Sequence, residues 1–157
     1  MFFYVLKLAN GKYYVGKTKN VERRIQDHED GYGCEWTKRH KMKSVECVFE
    51  SDDPMYEDYL VKQLMNHHGI SNVRGGSYVQ LKLPREQYMA IRRELNAAND
   101  KCFRCGGDHF ISECITKESI IDDCNNKSTK DIKITFNMIL DDCYAIGSKI
   151  WKYVRNK

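Results

Sequence analysis

The sequence predicts an α/β fold: a small domain with a three-stranded, mainly antiparallel sheet flanked by helices, then a short metal-binding segment and a C-terminal helix. Three observations carry this expectation. Two β-rich runs, residues 2–8 (FFYVLKL) and 12–18 (KYYVGKT), flank Asn10-Gly11, the strongest short hairpin signal. Helical segments follow, bracketed by capping residues and glycines. Residues 102–114 then gather three cysteines and one histidine at ligand-like spacing.

Taken in order, Asn20 caps a helix over VERRIQDHED that stops before Gly31. A loop with Gly31, Gly33, Trp36 and Thr37 leads to a third strand at residues 44–50. Asp53-Pro54 supplies an N-cap with proline at the first helical position, and Gly69 ends that helix. Residues 77–83 are a candidate short strand. Pro84 opens a helix to about Asn99, and Asp100-Lys101 enters the cysteine segment. Residues 115–130 read as polar loop. Phe136, Ile139, Leu140, Cys143, Ile150, Trp151 and Val154 fall at helical spacing, which predicts a last amphipathic helix suited to packing or self-association. The expected division is a domain over 1–83, a helical connector over 84–100, the metal segment at 101–115 and a tail over 116–157.

Composition narrows the class. Apolar residues make up 41% and charged residues 31% of the 157, which is the make-up of a folded chain. No apolar run nears the roughly 18 residues of a membrane span, and the start MFFYVLK lacks a basic n-region, so an intracellular protein is expected. Net charge is +4 with no polybasic stretch, so bulk charge makes no case for nucleic-acid binding. Seven cysteines in such a chain point to metal ligands or buried thiols before disulfides.

Particular residues say more. Phe2-Phe3-Tyr4, then Tyr14-Val15-Gly16, then Arg24 and His28 on one helix and Glu57 on a later one, resemble the GIY-YIG nuclease family over roughly residues 1–80. The first motif reads FFY, keeping the tyrosine and not the glycine. The resemblance implies that Arg24, directly before Ile25, is the catalytic arginine, and that Glu57 is the single metal-binding glutamate. It implies that Tyr4 and Tyr14 activate water or contact phosphate, leaving open which is the base. Gly31-Tyr32-Gly33 with Trp36-Thr37, and Asn72 through Tyr78, look like a branch frequent in large DNA viruses, which implies a virus-encoded protein acting in an infected cell.

The chemistry is consistent with these roles. Phosphodiester hydrolysis needs a cation on the phosphate and a base for the attacking water. Magnesium, or manganese, needs only one or two carboxylates beside substrate oxygens and water. Glu57 shares a helix face with Val61, Leu64 and His68, so its carboxylate is expected to point inward, which is costly without a partner. The plain alternative is a first-turn glutamate favoured by the helix dipole. Arg24 and His28 are four apart and therefore neighbours, one to clamp phosphate and one to orient a water or a tyrosine. Lys17 and, more weakly, Asn72 are candidate substrate contacts.

The hairpin discriminates. A two-residue Asn10-Gly11 turn would put Tyr4 and Tyr14 on opposite faces. A three-residue Ala9-Asn10-Gly11 loop with Gly11 left-handed pairs Leu6 with Tyr14 and puts both tyrosines on one face. A shared site requires the second register, and that one is expected. Residues 11–18 also satisfy the phosphate-loop pattern G-x4-G-K-T, but the four intervening residues, Lys-Tyr-Tyr-Val, form a strand sequence, not a curling loop.

Cys102, Cys105, His109 and Cys114 have the spacing C-x2-C-x3-H-x4-C, enough for a closed tetrahedral zinc site. Thirteen residues leave no room for a hydrophobic core, so metal must supply the folding energy. The segment resembles the zinc-knuckle family with one residue fewer before the histidine, a shortening that Gly106-Gly107 accommodates. Phe103 and Phe110 beside Arg104 suit stacking on single-stranded bases, unless the rings only cover the metal. Cys34, Cys47, Cys124 and Cys143 have no ligand-like spacing. The sequence thus favours a metal-dependent endonuclease, acting on DNA before RNA, with a zinc knuckle that aids binding. Its rivals are a non-catalytic nucleic-acid-binding adaptor, for which FFY is the best support, and a zinc-stabilised interaction module.

Overall fold

A computed structural model of the chain describes residues 1–116. The expected tail helix, Cys124 and Cys143 lie outside the described residues. Two compact units are present, one spanning Met1–Leu81 and the other starting at Lys82.

In the first unit, strands β1 (Phe2–Leu8), β2 (Tyr13–Thr18), β3 (Met42–Glu50) and β4 (Val73–Gly75) form one sheet in the order β3-β1-β2-β4. β1 pairs antiparallel with β2 and β3, and β4 lies parallel to β2. The expected antiparallel trio is there, with a fourth strand at its edge. Helices α1 (Val21–Glu29), α2 (Glu35–Arg39) and α3 (Tyr56–His68) complete the unit.

The β1–β2 turn is the three-residue loop Ala9–Gly11. Leu8 N–H donates to Lys12 O at 2.7 Å, and Leu6 pairs with Tyr14. Asn10 and Gly11 both take left-handed conformations, at φ 60° and 66°, which asparagine and glycine tolerate better than other residues. Tyr4, Leu6, Leu8 and Tyr14 therefore share one face and pack with Trp36 of α2 in a buried cluster. The opposite face carries Phe3, whose ring meets Tyr56 of α3 edge-on at 5.5 Å. Phe2 sits in regular strand, paired with Thr18 and Glu50. Reading FFY in place of GIY has not distorted the backbone.

The sequence reading differs from the structure in three places. Residues 77–83 form no strand beyond an isolated bridge of Tyr78 to Gly75, and the extra strand is Val73–Gly75. The backbone there has other partners: Asp58 accepts hydrogen bonds from the Ser77 amide and hydroxyl, and Arg74 takes the carbonyls of Gln80 and Leu81. Residues 35–39, expected as loop, form a short helix. The third helix begins at Tyr56, two residues after Pro54, with Asp53 accepting from Met55 N–H at 2.8 Å.

Arg74 was quoted in the sequence only as part of a motif, and it proves to be a buried anchor with 4% of its surface exposed. Nε donates to Gln80 O, Nη1 to Ile70 O and Val73 O, and Nη2 to Leu81 O, at 2.6–3.2 Å. The guanidinium also lies 4.5 Å from the centre of the Trp36 ring. Burial pulls its pKa down to about 10, still cationic at neutral pH.

The second unit contains α4 (Arg85–Ala98), entered from Pro84, and the cysteine segment. The two are joined directly. Asn96 Nδ2 donates to Cys102 O, Lys101 N–H to Asn96 O, and Arg92 Nη2 to Cys105 O.

Arg74→Met should keep the apolar bulk against Trp36 and leave four carbonyls without their donor. Stability is expected to drop by about 3 kcal/mol or more, read from urea midpoints, with Arg74→Lys recovering only part because an ammonium lacks the planar fork. A loss within about 0.5 kcal/mol, ordinary for a surface site, would mean the anchor is not needed.

Candidate active site

The register of the hairpin sets Tyr4 opposite Gly16. A Cβ at Gly16 would clash with the Tyr4 hydroxyl and ring and reach Tyr14 Cε1 at 3.0 Å, so only glycine leaves space for both rings at this point of the sheet. Helix α1 is started by Asn20, whose side chain accepts from Arg23 N–H at 3.0 Å. It then presents Arg24 and His28 to the same face. His28 Nε2 lies 2.9 Å from the Tyr4 hydroxyl, and Arg24 Nε donates to that hydroxyl at 3.2 Å. The Tyr14 ring lies against both, 6.3 Å from Tyr4 and 5.3 Å from His28 between centroids.

Burial sets the protonation states. Desolvation pushes the Tyr4 hydroxyl up, against the lowering influence of Arg24, and pushes Tyr14 up strongly. Desolvation, and then the charge of Arg24, pull His28 down to about 4. At neutral pH the site therefore holds two neutral phenols, a neutral imidazole and one guanidinium.

Behind His28, Nδ1 lies 3.2 Å from Thr37 Oγ1. Gly33 stands directly against this contact, and a Cβ there would collide with both partners. Neither Thr37 nor Gly33 was given a role by sequence reasoning. Gly33 and Thr37 were visible as a motif, but their contact with a residue of another helix was not.

Glu57 forms a second group. It is buried on the α3 face shared with Leu60, Val61 and Leu64, and Lys17 Nζ lies 3.2 Å from its Oε2. The inward carboxylate thus has a lysine partner, and the half-exposed Lys17 side chain is long enough to leave. Among the described residues Oε1 accepts no hydrogen bond, so one oxygen is open to a cation. The charge of Glu57 acts on both Tyr4 and Tyr14, although no hydrogen bond joins it to them.

Asn72 is not brought into this group. Its Oδ1 accepts from Lys12 Nζ at 2.7 Å, and its Nδ2 donates to His68 O at 2.6 Å, just past the end of α3. The Gly11–Thr18 stretch is a turn and a strand, so it offers no phosphate-cradling loop.

In the second unit, ligand atoms of Cys102, Cys105, His109 and Cys114 all lie within 4.8 Å of one another. Cys105 Sγ and His109 Nε2 are 3.4 Å apart, against about 3.5 Å expected for two tetrahedral zinc ligands from ordinary bond lengths. Gly106, left-handed at φ 79°, turns the chain so that its amide reaches Cys102 O at 2.8 Å. This accommodates the three-residue spacer before His109. Backbone amides of Cys105 and Arg104 lower the Cys102 thiol, whereas desolvation and the neighbouring thiols raise that of Cys105. Phe103 and Phe110 are 48% and 80% exposed, so neither ring is spent covering the cluster. Arg104 Nη1 donates to Thr116 O.

An arginine, a buried tyrosine–histidine pair and a carboxylate, carried by β1, α1 and α3 around a mixed sheet, form a set suited to nuclease-type chemistry. Residues 1–66 match the family model of the GIY-YIG catalytic domain. A UPF0213 protein of Bacillus licheniformis is 35% identical over 66 residues, covering 40% of this chain and 68% of that protein. The UPF0213 protein YazA of Bacillus subtilis is 32% identical over 68 residues, with 40% and 67% covered. A UPF0213 protein of Halobacterium salinarum is 31% identical over 64 residues, with 39% and 83% covered. No solved structure matches. The chain belongs to the GIY-YIG family through its first unit. These relatives are bacterial and archaeal and give the expected viral origin no support. No helix among the described residues is long and apolar enough to cross a membrane.

The His28 imidazole titrates near 6.5 in an unfolded chain and at about 4 when folded. Between those values the unfolded state binds the extra proton. Its contribution is fully present above about pH 6.5 and is lost as pH falls toward 4, roughly 3 kcal/mol at most. His68, also pulled down to about 4 by burial, adds to the same window. His40 is lowered by burial as well, so urea midpoints measured from pH 4.5 to 7 should rise with pH, and His28→Gln should remove part of that slope; an unchanged slope would contradict the burial of a neutral His28.

Proposed function

We propose that the chain is a metal-dependent endonuclease that hydrolyses phosphodiester bonds in nucleic acid, DNA before RNA, inside a cell. The observation that carries this reading is the hydrogen-bonded group of Tyr4, His28 and Arg24. The Tyr4 hydroxyl is hydrogen-bonded to both a neutral base and a cation, and Tyr14, which also interacts with Arg24, packs against the same pair. As an attacking water gives a proton to the Tyr4 oxygen, the Tyr4 hydroxyl proton passes to His28 Nε2. The water oxygen bonds to phosphorus while the bond to the leaving oxygen breaks. Arg24 holds charge low on the Tyr4 oxygen and faces the phosphate with its remaining donors. Tyr14 confines the ring of Tyr4 and keeps the site dry.

Glu57 fits a magnesium or manganese site of the single-carboxylate kind, because one oxygen is open and the other is held only by a long, exposed lysine. When bound, the ion supplies charge neutralisation on the scissile phosphate. Lys17, displaced from Glu57, then becomes a phosphate contact. Asn72 serves the fold in this reading and drops out as a substrate contact.

Zinc is proposed for Cys102, Cys105, His109 and Cys114, with Phe103, Phe110 and Arg104 presented to nucleic acid. The exposure of both rings supports this reading over one in which the segment is only a structural plug. Of the expected divisions 1–83, 84–100, 101–115 and 116–157, the middle two are proposed to act as one 84–115 module, joined by the direct hydrogen bonds from α4 to the cysteine segment. Regular strand at Phe2 removes the main ground for the inactive adaptor.

Purified chain with magnesium or manganese should nick supercoiled DNA. Arg24→Ala and Glu57→Ala should each lower the rate by about a hundredfold or more, the scale of losing one charge-stabilising group. Wild type that leaves DNA, branched DNA and single-stranded RNA intact, or variants that cut equally well, would end the enzyme reading. Independently, a strong chelator should release about one zinc per chain and remove amide-exchange protection from residues 101–115 while residues 1–81 stay protected. Protection unchanged after metal loss would refute a structural zinc.

A further inference from the structure

We infer that Thr37 is a positioning residue that fixes the tautomer of His28, so that Nε2 faces Tyr4 as a bare acceptor. The catalytic consequence rests on the nuclease reading above; the tautomer itself rests on hydrogen-bond geometry alone.

The Thr37 hydroxyl has a single proton. That proton is directed at the Cys34 carbonyl oxygen, 3.0 Å away at the start of α2. Thr37 Oγ1 can then only accept from His28 Nδ1, at 3.2 Å. Nδ1 must carry hydrogen. A neutral imidazole has one N–H, so Nε2 is left as a lone pair, and the Tyr4 hydroxyl at 2.9 Å donates to it. The Cys34 thiol, 3.7 Å from Thr37 Oγ1, donates to the same oxygen or stands aside, and either leaves the assignment unchanged.

The reverse tautomer would need Thr37 to give up its bond to the Cys34 carbonyl in order to donate to Nδ1. Otherwise it would set the Nδ1 lone pair against a hydroxyl oxygen whose proton points elsewhere. It would also make His28 Nε2–H and Arg24 Nε–H both donate to Tyr4, leaving the Tyr4 proton without its acceptor. Both Thr37 and His28 are buried, and the bare Gly33 seals the contact, so water has no room to replace Thr37. The depressed basicity of His28 keeps it neutral and the question of tautomer meaningful at neutral pH. The motif Gly33 with Thr37 thus acquires a chemical task. It orients the proton path from Tyr4 to His28 without touching substrate.

The full chain, labelled with 15N in its five histidines, gives the tautomer of each from long-range proton–nitrogen correlation near pH 7.5. His28 is assigned by the signals lost in His28→Gln. Wild type should show hydrogen on Nδ1 of His28. Thr37→Val, nearly the same shape without a hydrogen bond, should shift His28 toward the Nε2–H form and lower the cleavage rate by about tenfold or more, with KM little changed. Thr37→Ser should restore both.

Hydrogen on Nε2 in wild type, or a valine variant with an unaltered tautomer, overturns the inference. If the valine variant does not fold, the wild-type spectrum still decides. A chain that cuts nothing but holds the Nδ1–H form through Thr37 loses the nuclease reading and keeps this one. A chain that cuts with Nε2–H does the opposite.

Discussion

The pairing of Tyr4 with Gly16 is the constraint on which the first unit depends. Side chains alternate along a strand, so a slip of one residue would carry Tyr4 to the α3 side of the sheet. The three-residue turn fixes that register by letting Asn10 and Gly11 take left-handed backbone. Gly16 then provides the space into which the Tyr4 ring folds. Once the phenol is there, His28, Arg24 and Tyr14 have a fixed point to pack against. A hydrophobic sheet face becomes a polar site through one aromatic residue placed opposite a missing side chain.

The site also shows how polar groups can be buried at tolerable cost. An isolated ion in the core is expensive, whereas a hydrogen-bonded neutral group is not. Tyr4, His28 and Thr37 form a hydrogen-bonded chain of neutral partners. The charges at the site keep a link to solvent: Arg24 is about a third exposed, and the buried Glu57 has the half-exposed Lys17 beside it. Arg74 is the exception and resolves it differently, with four carbonyl oxygens and the Trp36 face around a single guanidinium. Such a cation is bound as firmly to its chain fold as a ligand would be. Beside the pairing of Val73–Gly75 with β2, it also ties down the carbonyls of Ile70, Gln80 and Leu81 on either side.

What was legible in the sequence was local. Asn20 as a cap, the left-handed turn, the inward face of Glu57 and the spacing of the metal ligands each follow from a few neighbouring residues. What was not legible depended on distant contacts. Val73–Gly75 became a strand because the edge of β2 was open to it, while residues 77–83 lost their strand character to Asp58 and Arg74. The helix at 35–39 places Trp36 under the sheet, where its Nε1 reaches Tyr13 O at 3.1 Å. Gly33 is an unremarkable loop glycine until His28 and Thr37 meet beneath it. Asn72, a weaker candidate for substrate contact, has its carboxamide hydrogen-bonded to Lys12 and to the end of α3.

The two units also differ in what can hold them folded. The first buries a continuous set of aliphatic and aromatic side chains on both faces of its sheet. Among described residues from 82 onward, the buried apolar side chains are Leu83, Ile91 and Cys102. One of these three is a metal-ligand candidate, and the two large phenylalanines of the segment point outward. Two aliphatic side chains contribute a few kcal/mol at most, less than the entropy of ordering a dozen loop residues. The deficit has to be met by something other than a core. Four converging ligand atoms, three of them sulfur, supply the means, because metal binding energy becomes folding energy when the site does not exist in the unfolded chain. The exposure of Phe103 and Phe110 agrees with the proposed metal site: a segment folded around an ion would have no need of its aromatic rings inside.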